Sequence, residues 1–256
     1  MMRELAHQLE RTITIRAHRD LVFRFFTDNA RWASWWGEGS TIEPRVGGRV
    51  VIRYPGGTEA VGEVVDLRPP ERIAFTYGYS KGTPVAPGES HVTIRLEAVP
   101  DGTRLHLSHA FADAAVMHEH TQGWRYQLSL FCNVVANELH VGSAATIDRW
   151  FAMWSNPNDV ARSRELDQLV ASNVSMQDRF SAIEGVADLR AHLDAVHRFM
   201  PGSELRRDGD VRHCQGHVLA SWTGRGPDGQ TRATGSTVFT LTADGRIESV
   251  TGFWTT

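Results

Sequence analysis

The chain has few of the residues that mark secreted or nucleic-acid-binding proteins. Its 256 residues include two cysteines, Cys132 and Cys214, and a single lysine, Lys81. The cysteines fall in different halves of the chain, so a disulfide framework is not expected and a reducing compartment is indicated. The formal net charge of −3 provides no basic field that would attract nucleic acid or an anionic membrane.

Long apolar runs are also absent. The first residues, MMRELAHQLERTITI, contain no apolar core of the length that a signal peptide needs. No stretch approaches the roughly 18 apolar residues of a membrane-spanning helix. The sequence therefore predicts a cytoplasmic protein without nucleic-acid or membrane partners.

What is present is the composition of an ordinary globular protein, with 41% hydrophobic and 22% charged residues. At roughly 150 residues per domain, the length predicts between one and two domains. The first half alternates short strands and hairpin turns and ends in a long helix from about residue 121 to 140, with an apolar stripe on one side. The second half has the order ααβαββββ. We predict an α+β protein with domains 1–142 and 143–256, divided at Gly142-Ser143.

The first half resembles the START-like (SRPBCC) superfamily, in the bacterial branch related to the activator of the heat-shock-protein-90 ATPase. The resemblance is carried by the segments RTITIRAHRDLVFRFFTD, RWASWWGEG, GGRV, GEVVDLRPPERIAFTYGY and DGTRLHLSHAF, and by GW at the start of the last helix. It implies a helix-grip fold, in which a curved sheet and a long helix enclose a hydrophobic tunnel.

The second half resembles the SnoaL-like group of the nuclear transport factor 2 superfamily. Here the resemblance is carried by the element order, by QDRFSAIEGVADLRAHL and by LTADGRIESVTGFW. It implies a cone-shaped α+β barrel. The superfamily includes isomerases, cyclases, hydrolases and binding proteins without activity, so the fold does not choose among them.

Aromatic residues of the first half are candidates for the lining of the tunnel, because large rings provide contact area for an apolar ligand. The alternative is that they fill the core. The predicted set is Trp32, Trp35, Phe75, Tyr77 and Trp124.

Histidines of the first half suggest two kinds of site. His109 alternates in phase with Leu105 and Leu107, so it either faces the tunnel as a polar contact or base, or bonds to a neighbour at the strand end. A metal site is not predicted, because His106 and His109 face opposite sides of a strand and no cysteine or carboxylate completes a zinc pattern nearby. No cofactor is predicted.

Asp178 is the candidate for chemistry in the second half. The pattern NVSMQDRF predicts a strand on which Asp178 shares an apolar face with Met176, and burial of a carboxylate raises its pKa. The resemblance places Asp178 at the catalytic base position of ketosteroid isomerases. Trp150 or Phe151 stands where that family has its oxyanion-hole tyrosine, and Thr237 stands where it has its protonated aspartate, which argues against the isomerisation. A structural Asp178 is the alternative, and Trp150, Met176 and Thr237 are predicted ligand contacts.

Three functions remain open from the sequence. The first is binding of a small apolar molecule in one or both cavities, and the second is a cyclase, isomerase or hydrolase that uses Asp178. The third is a protein-interaction or chaperone-related module. We also predict a homodimer through an open sheet face in the second domain, where apolar residues alternate along long strands. The residues of that face are Val218, Ala220, Trp222, Val238 and Trp254.

Overall fold

The computed structural model of the chain describes residues 4–255. The chain divides into two compact units, the first ending at Ala136 and the second starting at Asn137. Each unit has its own sheet and its own helices. The predicted α+β class is confirmed, while the predicted boundary at Gly142 stays a prediction.

Among its described residues, the first unit contains one seven-stranded antiparallel sheet and three helices. The strands are β1 (His7–Ile15), β2 (Thr41–Ile42), β3 (Arg49–Arg53), β4 (Glu59–Arg68), β5 (Arg72–Tyr79), β6 (Ser90–Val99) and β7 (Gly102–Phe111). The helices are α1 (Arg19–Arg24), α2 (Asn29–Trp36) and α3 (Ala114–Leu139). The strand order β1-β7-β6-β5-β4-β3-β2 leaves the sheet open.

The long helix α3 begins earlier than the sequence pattern predicts. Its first turn is stabilised by Asp113, whose Oδ1 accepts the backbone N–H groups of Ala115 at 2.7 Å and Val116 at 3.2 Å. A carboxylate in this position supplies acceptors for N–H groups that have no partner within the helix. The predicted stripe does not reveal this start, because its first residue is Trp124, ten residues after the start of the helix at Ala114.

Three tryptophans of α2 anchor the core of the first unit. Asp28 caps the helix by accepting from the N–H of Arg31 at 2.9 Å. Trp32, Trp35 and Trp36 are all buried, as their spacing of three and four residues predicts. The helix ends at Gly37, which has a φ of 139° and lies so close to β3 that a Cβ would stand 2.2 Å from the carbonyl oxygen of Arg53. Only glycine satisfies both conditions.

Up to residue 255, where the described part of the chain ends, the second unit contains one six-stranded sheet and three helices. The helices are α4 (Ser143–Ser155), α5 (Asp159–Leu169) and α6 (Gly185–Phe199). The strands are β8 (Val170–Gln177), β9 (Ala182–Glu184), β10 (Glu204–Cys214), β11 (His217–Arg225), β12 (Thr231–Leu241) and β13 (Ile247–Thr255). The strand order is β10-β11-β12-β13-β8-β9, and β13 and β8 pair in parallel.

The second unit matches the predicted order with two differences. The short strand β9 is an addition, and the strand predicted for NVSMQDRF ends at Gln177. Asp178 therefore lies in the turn after β8 and not on the strand. The six-stranded sheet is open, with β10 and β9 at its edges, so the cone is not a closed barrel.

The residues on the buried and the open face of the second sheet differ from those predicted. Val218, Ala220 and Trp222 are buried in the core of their own unit, so they do not belong to an exposed face. The prediction was wrong for these three because alternation shows that residues share a face but not which face is covered. Trp254 is 37% exposed and contacts Trp222 at 5.0 Å between ring centroids.

The open face is formed by the alternate residues of β11, β12 and β13, whose side chains point away from the core. In register across three strands it presents the row Leu219, Val238 and Thr251 and the row Ser221, Ser236 and Phe253. Phe253 is 58% exposed. In the part of the chain from residue 4 to 255, no helix combines the length and the apolar character that a membrane span needs.

Candidate functional site

A cavity of about 400 Å³ lies between helix α3 and the sheet of the first unit. Three predicted residues line it, namely Tyr77 of β5, His109 of β7 and Trp124 of α3. The remaining lining residues are Trp36, Tyr54, Pro55, Thr58, Tyr79, Pro84, Glu119, His120, Gly123, Tyr126, Gln127 and Leu130. The site is therefore aromatic on most sides, which suits an apolar or aromatic guest.

His109 is held in one tautomer by two neighbours. Trp124 Nε1 donates to His109 Nδ1 at 2.9 Å, so this nitrogen is an acceptor and the ring proton sits on Nε2. Nε2 donates to Ser90 Oγ at 2.8 Å, and Ser90 Oγ donates to the Tyr77 carbonyl oxygen at 2.9 Å. Burial, together with His120 and His91 nearby, lowers the pKa of His109 well below its ordinary value. Since both ring nitrogens are engaged, His109 shapes the wall of the cavity and has no free nitrogen to act as a base.

Hydroxyl groups meet close to His109, whose ring lies 5.2 Å from that of Tyr77 between centroids. Tyr54 Oη and Tyr77 Oη are 3.0 Å apart and share one hydrogen bond. Burial raises the pKa values of both phenols, so they stay neutral. His120 donates from Nδ1 to the Val116 carbonyl oxygen at 2.8 Å, which leaves the Nε2 lone pair directed to Tyr79 Oη at 3.5 Å.

Trp32, Trp35 and Phe75 do not line this cavity but pack behind it. Their exposed fractions are 2% or less. The ring of Trp32 meets Trp35 at 5.3 Å and Phe75 at 5.9 Å between centroids, both edge to face. Trp32 Nε1 donates to the Val51 carbonyl oxygen at 3.2 Å, so its one polar group is satisfied. These contacts are those of core residues.

The candidates of the second unit also lie in packed surroundings. Trp150 contacts Phe239 at 5.8 Å between ring centroids. Thr237 Oγ1 accepts from Trp222 Nε1 at 3.0 Å, and Met176 belongs to the same buried cluster. Cavities of about 570, 540 and 250 Å³ lie among the described residues of this unit, and none of these three is lined by Trp150, Met176 or Thr237. A ligand role for these residues stays a prediction.

Both carboxylate oxygens of Asp178 have structural partners. Oδ1 accepts the N–H of Phe180 at 2.7 Å, which closes the turn after β8. Oδ2 accepts from Trp254 Nε1 at 3.2 Å. A base needs a free lone pair that faces its substrate, so these contacts support the structural interpretation of Asp178. Its role as a base stays a prediction.

Each of the two units matches a different known protein family. Residues 16–136 match the family model described as Activator of Hsp90 ATPase homolog 1-like protein. Residues 147–250 match the family model described as SnoaL-like domain. The chain joins an AHSA1-like domain to a SnoaL-like domain.

Solved structures give the same two kinds of likeness. A SnoaL-like family protein from Agrobacterium tumefaciens is 27% identical, covers 46% of this chain and 99% of its own, and has a TM-score of 0.43. An AHSA1-like protein from Rhizobium etli is 29% identical, covers 50% of this chain and 81% of its own, and has a TM-score of 0.42. A dimeric relative from Colwellia psychrerythraea is 19% identical, with coverages of 48% and 92% and a TM-score of 0.40. No curated protein matches the chain.

Sequence reasoning missed part of the cavity in the AHSA1-like domain. Trp36, Tyr54, Tyr79 and His120 line it without having been predicted. Trp36 had a usable signal, because it shares a helix face with Trp32. Tyr54 and Tyr79 had no such signal in the sequence. Tyr54 follows β3 and Tyr79 ends β5, so whether they approach the cavity depends on the register of the sheet.

In the described part of the chain, no three histidine, cysteine, aspartate or glutamate side chains are grouped so that they could hold a metal ion.

Proposed function

We propose that the AHSA1-like domain binds a small apolar molecule in the aromatic cavity beside α3. The observation that carries the proposal is the cavity itself. Its volume of about 400 Å³ lies within the roughly 300–1,000 Å³ of small-molecule sites. Its few polar groups converge on one side, as they do where a ligand is oriented by a small number of hydrogen bonds.

Binding is favoured over catalysis in this domain because His109, Tyr54 and Tyr77 are bonded to neighbours and are not free to exchange a proton with a guest. His109 has partners on both nitrogens, and the Tyr54 and Tyr77 hydroxyls bond to each other. A general base must reach the proton that it removes. The side chains that line the cavity therefore provide shape and orientation.

Gly123 offers a direct way to close the cavity. It lies within α3, lines the cavity, and a Cβ at this position would meet no atom within 4 Å. Glycine inside a helix is less favourable than alanine by about 0.8–1 kcal/mol. Gly123 is also exposed, so we expect it to lie at the mouth of the cavity, where the lining opens to solvent.

We expect Gly123→Phe to abolish binding and Gly123→Ala to preserve it. Alanine should raise the free energy of unfolding by up to about 1 kcal/mol, because the helix gains propensity without a clash. Phenylalanine should obstruct the mouth of the cavity. A lipophilic library is screened by melting shift, and hits are verified by native mass spectrometry on the parent chain and both variants. Equal ligand shifts for Gly123→Phe and the parent would place the binding site elsewhere.

We further propose that the chain forms a homodimer through the open face of the second sheet. Supporting it are the side chains of Leu219, Val238 and Phe253, which lie in two adjacent rows on that face. An exposed aromatic residue beside half-buried apolar ones is typical of a surface that a partner covers.

The oligomer is tested by analytical ultracentrifugation of the parent chain and two variants. We expect the parent at twice the chain mass of 28.5 kDa and Phe253→Glu at the chain mass, because the new charge would be buried in the interface. Phe199→Glu is the matched control, since Phe199 is 77% exposed on α6. Sedimentation of the parent as a 28.5 kDa species would rule out the dimer.

A further inference from the structure

We propose that the aromatic cavity prefers a cationic guest, an amine or quaternary ammonium group attached to an apolar body. This inference rests on the proposed binding function and specifies the chemical class of the ligand. Three properties of the cavity support it: its formal charges, its hydrogen-bonding atoms and the arrangement of its rings.

The charges around the cavity are one-sided. Among the described residues that line it, Glu119 alone carries a formal charge, and it is exposed. The chain has 27 lysine and arginine residues, yet none is part of the lining. Desolvating an anionic ligand without a positive partner is unfavourable, so carboxylates and phosphates are poor candidates.

The polar atoms of the lining favour acceptors over donors. Gln127 donates from Nε2 to the Trp35 carbonyl oxygen, which leaves its Oε1 to face a guest. The donor Trp124 Nε1 is bonded to His109. His120 Nε2 is also an acceptor, because Nδ1 carries the proton, and it lies 3.5 Å from Tyr79 Oη. Such atoms solvate a cation or an ammonium N–H group, while they oppose an anion.

The rings are set at steep angles to one another. Trp36 meets Tyr54 at 88° and Trp124 at 72°, with centroids 5.9 and 5.6 Å apart. Tyr77 and Tyr79 meet at 77° with centroids 5.7 Å apart. Rings in such an arrangement present faces in several directions, and each face attracts a cation through its quadrupole. Aromatic cages of this kind recognise quaternary ammonium groups.

The two histidines of the lining would repel a cationic guest if they were protonated, but their surroundings keep them neutral. Burial lowers the pKa of His120, although the hydrogen bond to Val116 and the charge of Glu119 oppose this. The pKa of His109 is lowered as well, chiefly by burial. Near neutral pH both rings are uncharged, so they do not repel a cation.

The test compares three probes that share one naphthalene body. They are (2-naphthylmethyl)trimethylammonium, its carbon isostere 2-neopentylnaphthalene, and the anion 2-naphthylacetate. Isothermal titration calorimetry on the full chain at pH 7.5 gives the dissociation constants. We expect the ammonium to bind at least about tenfold more tightly than its isostere and the anion to bind most weakly.

Substitutions at Tyr79 and Glu119 test the origin of the preference. Tyr79→Leu removes a ring face and should reduce the ammonium-to-isostere ratio severalfold, while Tyr79→Phe retains the face and should preserve the ratio. Glu119→Gln should weaken ammonium binding about two- to threefold at low salt, because an exposed charge contributes little, and leave the isostere unchanged.

The outcomes separate this inference from the binding function. If the isostere or the anion binds as tightly as the ammonium, the cation preference is wrong and the binding function stands. If none of the probes binds, and no member of the lipophilic library shifts the melting temperature, the binding function fails as well.

Discussion

Replacing Trp32 with alanine is expected to lower the free energy of unfolding of the AHSA1-like domain by about 3–5 kcal/mol. Trp32 is fully buried, and its ring packs edge to face against Trp35 and Phe75. Truncation removes these contacts and leaves a cavity in the core. It also removes the hydrogen bond from the indole N–H to the Val51 carbonyl oxygen at 3.2 Å.

The measurement must separate the two domains, since a two-domain chain need not unfold in one step. Urea titration with pulsed hydrogen exchange, read by mass spectrometry on peptides from β5 and α3, reports the AHSA1-like domain alone. Trp32→Phe is the matched control and should cost less, because it keeps a ring in the core. A loss below about 1 kcal/mol for Trp32→Ala would contradict the core assignment.

The aromatic residues show how far the sequence leads in this domain. The spacing of Trp32, Trp35 and Trp36 predicts one buried helix face, and all three are buried. Spacing does not tell which ring borders empty space, because the opposite wall comes from strands far away in sequence. Trp36 borders the cavity, while Trp32 and Trp35 fill the core.

The second sheet shows a limit of a different kind. Alternation along β11 correctly groups Val218, Ala220 and Trp222 on one face, but the predicted set also includes Val238 of β12, which pairs with Leu219 and lies on the opposite face. Alternation also leaves the choice of the buried face open, and that choice depends on helices α4 and α6 covering one side. Val218 and Trp222 accordingly lie inside, whereas Leu219 and Val238 lie on the open face.

The sequence pattern predicts that Asp178 lies within a strand, but it lies one residue after the end of β8 at Gln177. The apolar residues before it continue the alternation of β8, so the pattern alone extends the strand through Asp178. The Asx-type bond from Phe180 N–H to Oδ1 at 2.7 Å ends the strand instead, as short carboxylate side chains often do in turns. The cytoplasmic location and the absence of cofactors and of nucleic-acid partners stay predictions.

The chain is expected to lose stability steeply as the pH falls below about 6.5, the ordinary pKa of histidine. Two buried histidines, His109 and His140, contribute to this loss. Burial lowers the pKa of His109 well below its ordinary value. Burial and the nearby His213 lower the pKa of His140 to about 4. Below about pH 6.5 these histidines are protonated in the unfolded chain but remain neutral in the folded chain. Each of them therefore lowers the free energy of unfolding by up to about 1.4 kcal/mol per pH unit.

The two histidines act in different domains. The contribution of His140 is complete above about pH 6.5 and is lost as the pH falls to about 4, where the folded state also takes up the proton. The contribution of His109 to the AHSA1-like domain is likewise complete above about pH 6.5 and is lost as the pH falls towards the lowered pKa of the folded state.

His109→Gln isolates the contribution of His109. The glutamine oxygen can accept from Trp124 Nε1 and its amide can donate to Ser90 Oγ, which preserves the two hydrogen bonds of the imidazole without a titrating group. We expect the variant to be less stable than the parent at pH 7.5 and to have a shallower pH dependence between pH 6.5 and 4.5. The same urea titration with pulsed hydrogen exchange, read on peptides from β7, gives both quantities.

His109→Leu provides the contrast that separates charge from hydrogen bonding. It also has no titrating group, so its pH dependence should equal that of the glutamine variant. It leaves the Trp124 donor without an acceptor, and an unsatisfied buried donor costs about 1–3 kcal/mol. The leucine variant should thus be less stable than the glutamine variant by a constant amount at every pH. Identical pH slopes for the parent and both variants would show that His109 is not the group whose protonation opposes folding.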